Sequence, residues 1–427
     1  MEKIIKQIIR DNKTPLYVYD YDIIKKNICK LIDIMPPNGR LYYSMKANPN
    51  LAICQIIEHL IGRVEVSSLG EIKCAIEAGF EIKNILFSGP GKTGEELEFA
   101  INSGIQIIVE SIEELEAISN ICRKGDVPTG IMIRINPDFA SKTTGFVMTG
   151  KASQFGIDVC DIDKSSRIIK NNEMLKLKGI SVYLGSQILD ANIILENTSK
   201  IINLFLMIQK KLNVKLSQLD VGGGFGVSYY DKKELDIDVL QAQMKQMVLN
   251  FHPYLENVEI FYESGRYIMA ESGYFITKIL YKKKSKGRNY LICDGGFNNM
   301  YISSFCTRDL RGNFPMRVLR ENQVPQSFEE YFISGPLCSP KDIIGSKIKL
   351  PIVNSGDYLI VCKVGAYGLT YSPVLFISHE IPGEILIKGN QYFVIRDRSS
   401  ELTKQFKLPE NVVGNEGNRA QWRDQDE

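Results

Sequence analysis

The chain has 427 residues, of which 44% are hydrophobic and 24% are charged, with a net charge of +2. These values are ordinary for a soluble globular protein of about two domains. They exclude the strongly basic composition of a typical nucleic-acid-binding domain.

From residue 22 onward, apolar and β-branched runs alternate with helix-like segments. Eight runs predict strands: LYYSM (41–45), RVEVSS (63–68), NILFSG (84–89), IQIIVES (105–111), GIMIRIN (130–136), GISVYLG (179–185), LSQLDVGG (216–223) and VEIFYES (258–264). Strands that alternate with helices pair in parallel, and eight of them close into a barrel of about 250 residues. The predicted fold is therefore α/β, with a (β/α)8 (TIM) barrel over residues 22–266.

After Gly265 the strand-like runs follow one another with few helical patterns between them. They are YFITKILY (274–281), NYLICDGG (289–296), KIKLPI (347–352), DYLIVCKV (357–364) and PVLFISH (373–379). This pattern predicts a C-terminal, mostly antiparallel β domain over residues 267–410. The N-terminal segment 1–21, with TPLYVYD, is expected to join that domain. The polar tail 411–427 is expected to be disordered.

The most basic run is YKKKSKGR (281–288), which lies between two predicted strands. A solvated hairpin loop is the simpler interpretation of such a charge run. The alternative is a docking patch for an acidic partner.

Functional residues of a barrel follow the carboxyl ends of its strands. Here those positions hold an unusual set: Lys46, Glu65, Arg134, Tyr183, Ser186, Gly222, Gly223, Gly224, Glu263, Gly265 and Arg266. Lys46 is either a lysine at the rim of the barrel or a Schiff-base lysine. The second role requires a lowered pKa, for which Arg134 is a candidate neighbouring cation.

The glycine run DVGGGFG after the seventh strand is either a tight turn or a cradle of backbone N–H groups for an anion. Ser186 and Arg266 on the flanking strands favour a phosphate. Glu263 would either pair with Arg266 or bind a protonated ring nitrogen. A lysine for an aldehyde, a phosphate cradle and a carboxylate for a pyridinium together describe pyridoxal phosphate.

At this point the sequence resembles the fold type III, alanine racemase-like pyridoxal phosphate enzymes, in particular the diaminopimelate, ornithine and arginine decarboxylases. The resemblance rests on ordered motifs that span residues 14–400: YYSMKAN, VEVSSLGEI, FSGPGK, IRINPD, SQFGID, GSQ, DVGGGFG, ESGRY, CDGG, GPLCSPKD and GAYG. It implies decarboxylation of an L-amino acid by a homodimer with shared active sites.

The resemblance also implies roles for the matching positions. Lys46 would bind the cofactor aldehyde, Glu263 the ring nitrogen, and Arg134 would lie near the phenolic oxygen, with Glu65 also among the cofactor-binding residues. The phosphate would be held by Ser186, Gly222, Gly223, Gly224, Gly265, Arg266 and Tyr367. Cys338 would reach in from the other subunit to help protonate the substrate carbon; a buried small apolar residue is the alternative for a cysteine.

Three features depart from the diaminopimelate and ornithine enzymes. Tyr183 replaces a histidine that stacks on the cofactor, the segment after CDGG lacks the arginine motif that holds a distal carboxylate, and Ser339 replaces an acid after the catalytic cysteine. The same three features occur together in a narrower branch, the butirosin-type decarboxylases, which the chain therefore resembles. These enzymes act on glutamate tethered to an acyl carrier protein. Arg308 and Arg311 are candidates for guiding the pantetheine arm; ordinary surface arginines are the alternative.

Other functions remain open at this point: a decarboxylase of free diaminopimelate or another amino acid, a racemase, or an inactive cofactor-binding homologue. Glu263 argues against a racemase, because alanine racemases place an arginine at the ring nitrogen. Nine cysteines without CxxC spacing predict reduced thiols in the cytoplasm. The three histidines give no zinc-ligand spacing, and neither a signal peptide nor a membrane span is expected.

Overall fold

The structure is a computed structural model that describes residues 2–142, 146–230, 233–302, 312–320 and 327–398, with the backbone alone at 146–147. Arg308 and Arg311, together with the tail 411–427, lie outside the described residues. Among the helices that these ranges contain, none is both long and apolar enough to cross a membrane.

Eight parallel strands form a closed ring. In chain order the barrel strands are Gly39–Ser44, Val64–Val66, Ile85–Phe87, Gln106–Val109, Thr129–Asn136, Leu175–Ser181, Gln218–Asp220 and Glu259–Ser264. Each strand pairs with the next, and the eighth pairs with the first, which closes the ring. The predicted (β/α)8 barrel is confirmed.

Helices surround the ring. The longer ones are Glu2–Asp11, Tyr21–Ile34 before the first barrel strand, then Leu51–Ile61, Leu69–Ala78, Gly94–Ser103, Ile112–Gly125, Ile162–Lys170, Ala191–Leu212 and Ile237–Asn250; the shorter ones are His252–Leu255 and Arg266–Met269. Polar side chains cap the starts of most of the longer helices. Thr93, for example, accepts a hydrogen bond from the Glu96 N–H while the Glu96 carboxylate accepts one from the Thr93 N–H. This capping box starts a helix directly after the FSGPGK segment.

An apolar layer fills the inside of the barrel. Tyr42, Leu86, Ile108, Met132 and Phe261 form a buried cluster, with the Tyr42 and Phe261 rings 4.8 Å apart. Successive side chains of a strand point to opposite faces, so the residue two positions later points inward again. The alternation therefore stacks a second, inward-facing layer on the apolar one, nearer the carboxyl ends of the strands.

A second large sheet holds nine further strands. They are Leu16–Asp20, Gly273–Ser285, Arg288–Cys293, Met316–Leu319, Phe328–Ser334, Ile343–Pro351, Tyr358–Cys362, Gly383–Lys388 and Gln391–Arg396. Most neighbours are antiparallel, and Leu16–Asp20 lies between Gly273–Ser285 and Gly383–Lys388. The mostly antiparallel β domain is thus confirmed, while the residue bounds given above for the domains stay a prediction.

One predicted strand, PVLFISH, is wrong. These residues form turns, with a single 3-10 turn at Phe376–Ser378, and Ile377 and Ser378 have left-handed φ angles of 61° and 55°. A strand cannot continue through such backbone angles. The sheet takes Gly383–Lys388 and Gln391–Arg396 instead.

The basic run does lie on a β-hairpin. Gly273–Ser285 and Arg288–Cys293 pair as antiparallel neighbours, and Lys286 and Gly287, with φ of 47° and 81°, form the two-residue turn between them. Left-handed angles at both turn positions are typical of a hairpin whose twist matches its strands.

Candidate active site

The upper inward layer of the barrel is polar. Two residues after the apolar layer, the same strands carry Ser44, Ser88, Glu110, Arg134 and Glu263. Each of these side chains is buried. Because side chains alternate along each strand, a ring of hydrogen-bonding and charged groups lies directly above the apolar layer, at the barrel mouth.

Lys46 lies at the centre of this mouth, on a 3-10 turn Met45–Ala47 that follows the first barrel strand. Its Nζ lies 3.1 Å and 3.2 Å from the two carboxylate oxygens of Glu65. Glu65 is 1% exposed and also accepts hydrogen bonds from Ser67, at 3.2 Å, and from Ser88. The Lys46 side chain is 46% exposed, because it lines an open cavity.

The pKa of Lys46 is raised, contrary to the expectation of a lowered value. Burial opposes its charge, but the carboxylates of Glu65 and Glu263 outweigh that effect. Conversely, Lys46 and the Ser88 hydroxyl hold the pKa of Glu65 below its ordinary value despite the cost of burial. Arg134 does not supply the expected neighbouring cation, because its guanidinium is engaged elsewhere.

Arg134 binds Glu110. Its Nη1 donates to Glu110 Oε1 at 2.9 Å, and the same oxygen accepts the Gly89 N–H at 2.9 Å. The guanidinium carbon lies 4.7 Å from the centre of the Phe155 ring and 5.9 Å from that of Tyr183. Arg134 Nε and Glu110 Oε2 are buried without a hydrogen-bond partner. The pair therefore keeps free polar atoms that a bound molecule would satisfy.

Glu263 and Asp220 form a buried carboxyl pair. Burial, then Asp220 and Glu65, raise the pKa of Glu263 well above its ordinary value. Burial also raises the pKa of Asp220, although Ser181 Oγ donates to it at 2.7 Å and the Gly222 N–H at 2.9 Å. No ion pair between Glu263 and Arg266 is present among the described contacts, so Glu263 is available to another cation.

The glycine run is required by close packing. Gly222 has a left-handed φ of 66°, and a Cβ on it would meet the Tyr183 ring at 2.8 Å. A Cβ on Gly223 would lie 1.8 Å from the carbonyl oxygen of Glu263. Larger side chains would therefore displace both neighbours.

Arg266 lies beside these glycines, at the start of the helix Arg266–Met269. Its Nη1 donates to the Tyr229 hydroxyl at 3.1 Å, and its guanidinium lies 4.8 Å from the centre of the Tyr367 ring. Arg266 Nε is buried without a partner. An unsatisfied cationic donor on a residue that lines a cleft together with Gly224 of the glycine turn suits an anionic ligand.

Tyr183 follows the sixth barrel strand by two residues, because that strand ends at Ser181 and not at Gly185 as the sequence predicted. Ser186 belongs to a separate two-residue strand, Gly185–Ser186, which pairs with Phe146–Val147. Burial, followed by the field of Tyr367, raises the pKa of Tyr183 to about 12. The hydroxyl thus stays protonated at any working pH.

These groups line one cavity of about 450 Å³. From the predicted set it contains Lys46, Glu65, Arg134, Tyr183, Ser186, Glu263, Arg266 and Tyr367. Gly224 and Gly265 line an adjoining cleft, together with Lys46 and Arg266. Gly222 and Gly223 border the site through Tyr183 and Glu263. The structure thus brings together the residues predicted to bind a cofactor.

Cys338 and Ser339 are not among the residues that line this cavity. Cys338 is exposed, on a loop after the strand Phe328–Ser334. Buried Asp342 fixes that loop, because its two carboxylate oxygens accept the N–H groups of Leu337 at 2.8 Å and Phe297 at 2.7 Å. Within this chain, Cys338 therefore does not contribute to the cavity.

The cavity fits pyridoxal phosphate on its own chemistry. Lys46 offers an amine for the aldehyde, Arg266 keeps an unsatisfied Nε and lines a cleft with Gly224 and Gly265 that suits a phosphate, and Glu263 offers a buried carboxyl to a ring nitrogen. Tyr183 provides an aromatic face.

Sequence reasoning missed several contributors. Glu110 and Asp220 end the fourth and seventh strands and meet the same strand-end criterion as Arg134 and Glu263, so that criterion would have found them. Phe155 and Tyr229 lie on segments outside the barrel strands, and their contacts with Arg134 and Arg266 had no signal in spacing.

Comparisons with known proteins agree with this chemistry. Residues 22–270 match the family described as pyridoxal-dependent decarboxylase, pyridoxal binding domain. The chain is 36% identical to the L-glutamyl-[BtrI acyl-carrier protein] decarboxylase of Niallia circulans, over 94% of this chain and 96% of that protein. It is 30% identical to the diaminopimelate decarboxylase of Campylobacter jejuni, over 96% and 99%.

One solved structure shares the fold of this chain over most of its length. The crystal structure of diaminopimelate decarboxylase from Helicobacter pylori complexed with L-lysine superposes with a TM-score of 0.82 at 30% identity, covering 92% of this chain and 96% of that one. The family match covers more than half of the chain, and the relatives align over nearly all of it. The chain belongs to the pyridoxal-dependent decarboxylases and is a pyridoxal phosphate-dependent carboxy-lyase that acts on an amino acid.

Proposed function

We propose that the protein decarboxylates an amino acid held as a thioester on an acyl carrier protein, in a natural-product pathway of the antibiotic type. The observation that carries this proposal is the 36% identity to a glutamyl-carrier-protein decarboxylase over 94% of the chain. Two departures from the diaminopimelate enzymes support it: Ser339 follows Cys338, and the segment after Gly296 lacks the arginine motif that holds a distal carboxylate. A substrate whose far end is a neutral thioester needs neither group.

We carry the cofactor contacts that the family resemblance implies over to the residues that line or border the cavity. Lys46 would hold the aldehyde carbon and Glu263 the ring nitrogen, with Tyr183 against the ring face and Arg134 near the phenolic oxygen. The phosphate would be bound by Ser186, Gly222, Gly223, Gly224, Gly265, Arg266 and Tyr367. When bound, pyridoxal phosphate supplies the electron sink that stabilises the carbanion left by loss of carbon dioxide.

The chain's own residues would set charge and proton positions. The Glu65 carboxylate, which also accepts a hydrogen bond from Ser88, would hold Lys46 as an ammonium ion until Lys46 has to react as a neutral amine. Asp220, fixed by Ser181, keeps the Glu263 carboxyl in place within a buried, low-dielectric pocket. Electrostatic groups that are fixed before the reaction need no reorganisation during it.

A homodimer would complete the site. Cys338 is exposed in one protomer, yet Asp342 holds its loop firmly against the segment that contains Phe297. We propose that this ordered, exposed loop enters the partner's barrel mouth and delivers a proton to the substrate carbon. Arg308 and Arg311 lie outside the described residues and stay candidates for contacts with the pantetheine arm.

The basic hairpin is the proposed carrier-docking surface. Lys282 is engaged by Glu329 at 2.9 Å, whereas Lys283, Lys284 and Arg288 are exposed without a described acidic partner. An acidic carrier would complement these charges and be drawn to them at low ionic strength.

A panel of substrates tests the proposal. Purified protein with pyridoxal phosphate is offered free glutamate, free diaminopimelate and glutamate loaded on an acyl carrier protein, and carbon dioxide release is measured. Faster release from the carrier-bound amino acid is expected. Rapid turnover of free diaminopimelate would instead favour the second candidate function, which the 30% identity to a diaminopimelate decarboxylase over 96% of the chain supports.

A further inference from the structure

Two cysteines that the decarboxylation chemistry does not use meet beside the segment that carries Lys46. Cys54 lies on the helix Leu51–Ile61 and Cys74 on the next helix, Leu69–Ala78. The Cys54 thiol lies 4.0 Å from the carbonyl oxygen of Asn48, and the Cys74 thiol donates to that of Pro49 at 3.4 Å. These carbonyls are consecutive in the chain, so both thiols contact the same stretch of backbone, and each thiol is the neighbour that most shifts the pKa of the other.

The two thiols differ in access and in acidity. Cys54 is fully buried, whereas Cys74 is half-buried and reaches solvent. The contact with Cys54 lowers the pKa of the Cys74 thiol, and the contact with Cys74, together with burial, raises that of Cys54. Because the thiolate is the reactive form, Cys74 is the sulfur that a reagent in solution would meet first.

We propose that Cys54 and Cys74 form a redox-active pair that closes to an intramolecular disulfide when a small disulfide such as oxidised glutathione accumulates. The Cys74 thiolate attacks one sulfur of the oxidant, which breaks its S–S bond and releases one glutathione thiolate. Cys54 then loses its proton and attacks the Cys74 sulfur, which releases the second. The protein loses two electrons and two protons, and the oxidant becomes two thiols.

Closure would act on the cofactor site through the carbonyls that the thiols contact. Sulfurs bonded to each other must approach to about 2.05 Å, which draws both from their present positions. Asn48, whose carbonyl lies beside Cys54, also accepts the Tyr43 hydroxyl at 2.9 Å and donates to the carbonyl of Gly365. Ala47 accepts the N–H of Tyr367 at 2.8 Å. A shift of this segment therefore moves the turn of Lys46 and the Tyr367 backbone together, and weakens retention of pyridoxal phosphate.

Peptide mapping tests the bond itself. The holoenzyme is equilibrated at rising ratios of oxidised to reduced glutathione, remaining thiols are blocked, and peptides are mapped without reduction. A peptide that links the two helices, lighter by two hydrogens than the separate thiols and lost on adding dithiothreitol, is expected. Recovery of both cysteines only as free thiols or glutathione adducts, at ratios where the exposed Cys29 and Cys160 are already modified, would overturn the proposal.

A second measurement tests the coupling to the cofactor. Release of pyridoxal phosphate on dilution is compared for the oxidised wild type and for Cys74→Ser treated identically, with each protein's reduced form as the baseline. Oxidation should accelerate release severalfold more in the wild type than in the variant, since the other exposed cysteines, Cys338 among them, are modified in both. Equal release from the two oxidised proteins would refute the coupling even if the disulfide forms.

Discussion

The ammonium of Lys46 lies 3.1 Å from the buried carboxylate of Glu65, so the lysine proposed to bind the cofactor aldehyde is held in an ion pair at the barrel mouth. An amine attacks an aldehyde only in its neutral form. Glu65 therefore stabilises the charged form of Lys46. It opposes attack on the aldehyde until the ammonium of Lys46 has lost a proton.

Glu65→Gln should lower the pH at which apo-protein captures pyridoxal phosphate. The variant keeps a polar partner for Ser88 but removes the charge that raises the pKa of Lys46. Loss of a close opposite charge moves a pKa by about 1 unit or more. Absorbance measurements of capture rate against pH give the midpoint, and Ser88→Ala, which leaves the ion pair intact, is the control. An unchanged midpoint in Glu65→Gln would show that Glu65 does not govern the proton on Lys46.

Glu263→Gln should stabilise the apo-protein at neutral pH. A carboxyl whose folded-state pKa is raised costs stability as pH rises above its unfolded value, because the unfolded chain then binds fewer protons than the native one. The urea midpoint of the variant should exceed that of the wild type increasingly between about pH 4 and pH 8, and match it below. A constant difference across this range contradicts the raised pKa. The same variant should bind pyridoxal phosphate more weakly, since it cannot pair with a protonated ring.

Much of this site follows from the sequence, because strand ends and side-chain alternation are both visible there. Lys46, Glu65, Arg134 and Glu263 were found from positions alone. The sequence did not show which charged residues form pairs. Arg134 binds Glu110 and does not act on Lys46, because the pairing of side chains on different strands depends on the stagger of those strands.

The contact between Cys54 and Cys74 was equally invisible. The two residues are on separate helices with no motif spacing, and only packing of those helices against the Asn48–Pro49 backbone brings the thiols together. In the second domain, PVLFISH has the composition of a strand, but left-handed angles at two of its residues end any extended run. Local composition does not report such angles outside glycine and asparagine.

Mixing inactive variants tests the proposed shared site. Lys46→Ala and Cys338→Ala should each lose most activity, whereas a mixed sample allowed to exchange subunits should recover about a quarter of the wild-type rate. Half of the dimers are then mixed, and each contains one site with both native residues. No recovery, despite subunit exchange verified by mass, would place Cys338 and Lys46 in the same subunit's site.

Substitutions of Tyr183 separate stacking from proton transfer. Tyr183→Phe should keep activity and its pH profile, because a hydroxyl with a pKa of about 12 does not titrate in the working range. Tyr183→Ala should weaken cofactor binding about tenfold through loss of the aromatic face. Tyr183→His should add an inflection to the rate profile near pH ~6.5. A changed profile in Tyr183→Phe would instead assign the hydroxyl a direct part in the reaction.

Charge reversal on the hairpin tests carrier docking. Lys283→Glu with Lys284→Glu should raise KM for the carrier-bound amino acid severalfold, with kcat preserved, because both lysines are exposed and neither has a described acidic partner. The effect should shrink as salt rises, since exposed charges are screened beyond about 10 Å at 0.1 M ionic strength. Turnover of the same amino acid as a pantetheine thioester, without the carrier, should not change. Lys25→Glu with Lys26→Glu, on the exposed side of the helix Tyr21–Ile34, makes the same change in net charge and is the matched control. An equal rise of KM in both double variants would show that the effect comes from net charge alone. The hairpin would then not be the docking surface.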